Sequence, residues 1–150
     1  VKISPDGKRA ALVRTDPQSN NADIWIVELE TGASNRLTFD PGTDQNPLWS
    51  PDGSQIIWQS LRGGTWGIYR KASNGSGNDE LLYKSHGGGG AFALTDWTHD
   101  GRFIVFHAST PPAKTDIFAL PIGSGIPLMP LAWAAFAIDC HSARLSASPG

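Results

Sequence analysis

The sequence predicts an all-β chain forming a partial β-propeller, about three four-stranded blades of a larger ring. Three observations carry that expectation: a recurring four-residue turn, a fixed spacing of β-prone runs behind each copy, and a length that holds few copies. The turn is Ser4-Pro5-Asp6-Gly7; it returns as Ser50-Pro51-Asp52-Gly53 after 46 residues and, altered, as Thr98-His99-Asp100-Gly101 after a further 48. A repeat near this length, with strands between turn signals, marks a propeller blade. A closed ring needs about four to eight blades, whereas 150 residues hold about three. With Val1 lying just before a turn and inside a repeat, the expectation is a segment of a longer protein.

The turn has a local mechanism. Proline pre-sets φ at its second position, aspartate is well tolerated at the third, and glycine takes the left-handed conformation that closes a bulged hairpin. His99 replaces proline in the third copy and loses that pre-organisation. Six to eight positions after the start of each turn come Ala10-Ala11-Leu12, Ile56-Ile57-Trp58 and Ile104-Val105-Phe106. These runs are apolar on both faces, as strands sandwiched between neighbouring sheets should be.

A second strand follows about twenty residues after each turn, at Asp23-Ile24-Trp25-Ile26, Gly67-Ile68-Tyr69-Arg70 and Asp116-Ile117-Phe118-Ala119. A third is expected at Arg36-Leu37-Thr38 and at Glu80-Leu81-Leu82-Tyr83. A fourth ends at Leu48-Trp49-Ser50 and at Thr95-Asp96-Trp97-Thr98, running into the next turn. Turn clusters at Glu30–Ala33 and Ser73–Gly77 separate the second strand from the third. Trp49 and Trp97 are expected to pack between blades rather than to form a stacking platform for a ligand.

The 12 basic and 14 acidic residues give a net charge of −2 and form no block of either sign. That balance offers no electrostatic case for nucleic acid or an anionic membrane. Membrane association is expected only through segments outside this sequence. Cys140 is the single cysteine, so neither an intrachain disulfide nor a thiolate metal cluster can form.

The run from Pro47-Leu48-Trp49-Ser50-Pro51-Asp52-Gly53 to Gly64, with Trp66-Gly67-Ile68-Tyr69 behind it, closely resembles the WD40-like repeat of TolB-type β-propellers. Residues 1 to about 123 fit that repeat, the middle unit best. Such repeats occur in the periplasmic TolB protein, in propeller domains of prolyl-oligopeptidase-like hydrolases and in extracytoplasmic halves of bacterial serine/threonine kinases. Residues 16–25 and Arg36-Leu37-Thr38-Phe39-Asp40-Pro41 look most like the kinase-attached propellers. The resemblance implies a periplasmic or other extracytoplasmic bacterial location.

Residues 124–150 depart from the repeat. They hold the only methionine and the only cysteine, and no aromatic-Ser-Pro-Asp-Gly turn. Two readings fit: a divergent blade with a short helix at residues 131–138, or a reading-frame slip after about Gly123.

No catalytic, cofactor-binding or metal-ligating residue is assigned, and no cofactor is expected. The sequence has no Gly-x-Ser-x-Gly elbow and no kinase His-Arg-Asp or Asp-Phe-Gly signature. His86, His99, His107 and His141 lie in four different contexts, without metal-ligand spacing; His107 reads as a partly buried strand residue. Gly87–Gly90 lacks the lysine and helix of a phosphate loop and reads as a connector. Asn74-Gly75-Ser76 matches a glycosylation acceptor but is ordinary turn chemistry. Asp6, Asp52, Asp100, Asp23 and Asp116 could form a carboxylate ring for a hard cation, although hydrogen bonding within the turns explains their recurrence better.

The loops at Gln18–Asn21, Arg62–Thr65 and Pro111–Lys114 join equivalent strands, so they are expected on one rim of the ring as a contact surface for a protein or small ligand. The expected function is therefore non-catalytic binding, as the sensor or interaction part of a larger extracytoplasmic protein. The alternatives are the substrate-gating propeller of a prolyl-oligopeptidase-like serine peptidase and a stand-alone TolB-like envelope protein.

Overall fold

A computed structural model describes residues 1–85, 92–110, 114–123 and 129–130. The expected Gly87–Gly90 connector, the loop 111–113, His86 and the tail apart from residues 129–130 lie outside the described residues. The described chain is all-β, in three antiparallel four-stranded sheets. The first sheet holds β1 (Lys2–Ile3), β2 (Arg9–Thr15), β3 (Ala22–Glu28) and β4 (Ser34–Arg36). The second holds β5 (Thr43–Trp49), β6 (Gln55–Arg62), β7 (Thr65–Ala72) and β8 (Glu80–Lys84). The third holds β9 (Phe92–Trp97), β10 (Phe103–Thr110), β11 (Lys114–Pro121) and β12 (Met129–Pro130). Each sheet is a meander whose spatial order follows the chain.

Two strand placements differ from the sequence expectation. The strand before each turn pairs with the strand after it, Trp49 opposite Ile56 and Trp97 opposite Ile104. It is therefore the first strand of its own sheet, not the last of the preceding one, and the turn lies within a sheet. The third strand of the first unit covers Ser34–Arg36 and stops short of Leu37. Leu37 still donates its N–H to the Ile24 carbonyl, but the Ile24 N–H is taken by the Thr38 hydroxyl at 3.0 Å, so a side chain ends the ladder.

The hydrophobic core lies between the sheets. Ala11, Ile24, Ile26 and Leu37 of the first unit pack on Trp49, Ile56 and Trp58 of the second sheet. On the other side, Leu48, Ile57 and Ile68 meet Phe92, Trp97, Ile104 and Phe106 of the third. Trp49 and Trp97 thus pack between sheets, as expected, and each indole N–H is satisfied by a backbone carbonyl, of Lys2 and of Gly101.

Register makes the repeat exact enough to compare positions. Trp58 stands opposite Tyr69 and Phe106 opposite Phe118, with ring centroids 6.2 and 5.7 Å apart. Leu12 and Trp25 hold the corresponding pair in the first sheet. The isoleucine before each ring, Ile24, Ile68 or Ile117, is 0%, 0% and 48% exposed. The first two are covered by the next sheet; the last lies on the far face of the third sheet. His107 shares that far face and is exposed, not partly buried as its strand position suggested.

Candidate binding rim

The meander topology gives each sheet two ends. The Ser-Pro-Asp-Gly turns and the β3–β4 and β7–β8 connections occupy one; the β2–β3 and β6–β7 hairpins and the segment 37–42 occupy the other.

At the turn end, one hydrogen-bond pattern repeats. Ser4, Ser50 and Thr98 hydroxyls donate to Asp6, Asp52 and Asp100 at 2.5, 2.6 and 2.7 Å. The same carboxylates accept the backbone N–H of Lys8, Ser54 and Arg102, each at 3.0 Å. These bonds favour the ionised form and lower Asp6, while Asp52 and Asp100 fall to about 2. Gly7, Gly53 and Gly101 take φ of 71°, 70° and 74°, the left-handed conformation the turn chemistry requires. Asp23 and Asp116 lie towards the opposite end of their strands. The five aspartates therefore form no single ring, and among the described residues no group of three His, Cys, Asp or Glu could hold a metal ion.

The rim end is organised by a residue the sequence reading passed over, Asp40. Its carbonyl accepts from Asn21 Nδ2 in the first hairpin loop. One carboxylate oxygen accepts the Gly42 N–H at 2.8 Å, and the other lies 3.5 Å from Arg62 Nε at the second hairpin loop. Two of the three loops expected on the rim are thus drawn together; the third, centred on 111–113, lies outside the described residues. Gly63 and Gly64 both take positive φ, which gives the β6–β7 hairpin its tight two-residue loop.

Arg62 lies across the sheet rather than out in solvent. Its guanidinium sits 3.8 Å from the Tyr69 ring centroid and 2.6 Å from Asp79. Lys71 completes this junction, 3.2 Å from the other Asp79 oxygen. Beneath it Asp44 is wholly buried and directly opposite Ser60. Burial raises the Asp44 carboxyl above its ordinary value, opposed by Ser60, Thr38, the Arg62 charge and Trp58, in that order. Neither Asp44 oxygen makes a hydrogen bond of ordinary geometry.

A second polar link joins the next two sheets. Gln59, 1% exposed, accepts from Asn46 Nδ2 and donates to the Phe92 carbonyl. At the turn end Arg9 does similar work, donating to the Gly53 carbonyl and the Ser73 hydroxyl while stacking over Trp49. Sequence reasoning missed these residues because each acts between sheets, at separations the repeat does not encode.

Stacked four-stranded sheets, tied by buried polar links and ending in a shared loop rim, define a propeller domain. The chain belongs to the TolB β-propeller domain family, whose model matches residues 2–122. It is 32% identical over 121 residues to the uncharacterized peptidase YuxL of Bacillus subtilis, covering 72% of this chain and 17% of that protein. TolB from Acinetobacter baumannii superposes with a TM-score of 0.69 at 29% identity, over 86% of this chain and 31% of the other. A protein described as a TolB from Agrobacterium tumefaciens gives 0.68 at 26% identity, over 86% and 47%. A prolyl endopeptidase at 16% identity shares the fold. The chain therefore spans about a sixth of the length of its B. subtilis relative.

Proposed function

We propose that this chain is a non-catalytic binding segment of a larger extracytoplasmic bacterial protein, contacting a protein or small ligand through its hairpin rim. The observation that carries this reading is the Asp40 junction, which joins the Gln18–Asn21 and Arg62–Thr65 loops on a buried polar base. A rim fixed in this way offers a preformed surface, on which recognition needs shape and polar complementarity rather than a reacting group. Likeness to two TolB structures supports the periplasm as its location. In this reading residues 1–123 are the propeller repeats and 124–150 a divergent or frame-shifted tail, which translation of the coding DNA in the other frames separates.

The test is site-specific photocrosslinking in the native host, with the reactive side chain at Ser19 or Gly64 on the rim and at Ser54 on the turn end. A discrete adduct from the rim positions alone supports the reading. No adduct, or the same adducts from both ends, overturns it.

A second reading has its own support, the likeness to a peptidase over 72% of this chain. In it the propeller gates access to a serine peptidase site on another part of the protein. Reading the complete open frame distinguishes an attached hydrolase, an attached kinase, as residues 16–41 suggest, and a chain of blades alone.

A further inference from the structure

At the turn end, the two junctions between sheets are built from equivalent residues but filled differently. Arg9, Gln55 and Phe103 each lie five residues behind the first residue of their turn, and each carbonyl accepts that residue's N–H. Trp49 and Trp97 are equivalent in the same way, standing opposite Ile56 and Ile104. Between the first and second sheets Arg9 reaches across the junction. Its guanidinium lies 4.7 Å from the Trp49 ring centroid and donates to the Gly53 carbonyl at 3.1 Å and the Ser73 hydroxyl at 3.2 Å.

Between the second and third sheets no described cation takes that place. Gln55 stands at the position of Arg9, and its side-chain amide makes no hydrogen bond with any described residue. What remains is a recess of about 360 Å³, lined by Pro51, Asp52, Gln55, Trp97, His99 and Asp100 among others. A Cβ built at Gly53 would meet Pro5 Cδ at 3.5 Å and Arg9 Nη2 at 3.9 Å, whereas one built at Gly101 would meet nothing within 4 Å. The charge of the recess is unanswered too. Asp100 pairs with Arg102 at 2.6 Å, but Asp52 accepts only from hydroxyls and a backbone N–H. Those bonds lower Asp52 to about 2, so at neutral pH it is an ionised carboxylate without an ion pair among the described residues. Two details separate the junctions. Ile122 occupies the position of Ser73, and the Gly101 carbonyl already accepts from Trp97 Nε1 at 3.1 Å. A guanidinium entering here therefore relies on the carboxylate and the indole, the two partners a planar cation binds best.

We propose that this recess receives an arginine side chain of a partner polypeptide, stacked on Trp97 and paired with Asp52, in the place that Arg9 fills one junction earlier. An ammonium suits the recess less well, since only the planar ion can lie on an indole while presenting two N–H groups to one carboxylate. The inference goes beyond the rim reading, because the recess lies at the opposite end of the sheets. In the crosslinking experiment a separate adduct from Ser54, which borders the recess, belongs to this site, so either reading can fail without the other.

The probe is the capped tripeptide Gly-Arg-Gly, titrated into the isotope-labelled full chain and followed by NMR. Saturable shifts are expected at the Trp97 indole N–H and the Gln55 side-chain amide, and not at the Trp49 indole. The same peptide with citrulline, uncharged and nearly isosteric, binds about tenfold more weakly. One with lysine also binds more weakly than the arginine peptide. Gln55→Arg supplies the missing group from within, and is expected to abolish binding and raise the melting temperature. The peptide series needs no protein variant, so the test stands whether or not that variant folds. Absence of saturation, citrulline or lysine peptides binding as tightly as the arginine one, shifts at Trp49 in place of Trp97, or undiminished binding to folded Gln55→Arg would each overturn the proposal.

Discussion

Asp44 stands directly across the β5–β6 ladder from Ser60, and both side chains are wholly buried between the first two sheets. In the third sheet the same ladder position pairs Phe92 with Ala108. One repeat position is thus an acid with a hydroxyl at one junction and an aromatic with a methyl group at the next. The first junction costs energy whenever Asp44 is ionised.

That cost predicts an inverted pH response at this site. Because burial holds the folded carboxyl above the unfolded value of 3.8, its penalty is absent below that value and grows as pH rises through the folded one. Asp44→Asn is expected to stabilise the fold at neutral pH by on the order of 1 kcal/mol, and so to raise the melting temperature. Thermal melts across the acid range check this: the advantage of the variant should shrink as pH falls.

The turn aspartates predict the opposite sign. Asp52 and Asp100 are lowered to about 2 in the fold, so their contribution is present above about 3.8 and lost as pH falls through about 2. The double variant Asp52→Ala, Asp100→Ala should melt lower at pH 6 and lose much of the acid destabilisation in that interval. Melts of both proteins from neutral pH to pH 2 give the comparison.

The three repeat isoleucines predict a contrast in one experiment. Ile24→Ala and Ile68→Ala remove fully buried side chains and should each cost about 2–5 kcal/mol. Ile117→Ala, at a position 48% exposed, should cost roughly 0.5 kcal/mol or less. Urea unfolding of the three variants checks it; equal losses would mean that the far face of the third sheet is covered in solution.

Gly42 predicts a steric effect. A Cβ there would lie 2.2 Å from the Leu61 carbonyl oxygen, a backbone atom that cannot swing aside. Gly42→Ala should therefore cost about 1–3 kcal/mol through overpacking and separate the Asp40 segment from the second hairpin. Gly7, by contrast, has open space around it, so Gly7→Ala pays only for its left-handed backbone, about 1 kcal/mol. Chemical denaturation ranks the two.

The turns were legible in the sequence because their chemistry is local. Proline, aspartate and glycine act on backbone within four residues, and the hydroxyl before them closes the motif. The isoleucine and aromatic phasing was legible for the same reason, since strand period is a short-range property. Sheet membership of the strand before each turn was not, because a repeat has no intrinsic first residue and either side of the turn can begin a unit. Asp40, Asp44 and Gln59 were hidden more deeply. Gln59 reads as an ordinary polar strand residue until the Phe92 carbonyl, 33 residues on, is found beside it.

The placement of the turn inside a sheet has a consequence for how such an array is held together. The stretch from one turn to the next takes three strands from one sheet and one from its neighbour, so between the first two sheets the backbone crosses the seam after the third of those four strands. A nick at Asp52-Gly53 leaves its two fragments clasped by the β5–β6 ladder, whereas a nick within 37–42 severs the covalent path between whole sheets. Loss or duplication of one turn-to-turn stretch rejoins strands within a sheet, and the number of sheets changes by one with no sheet left partial.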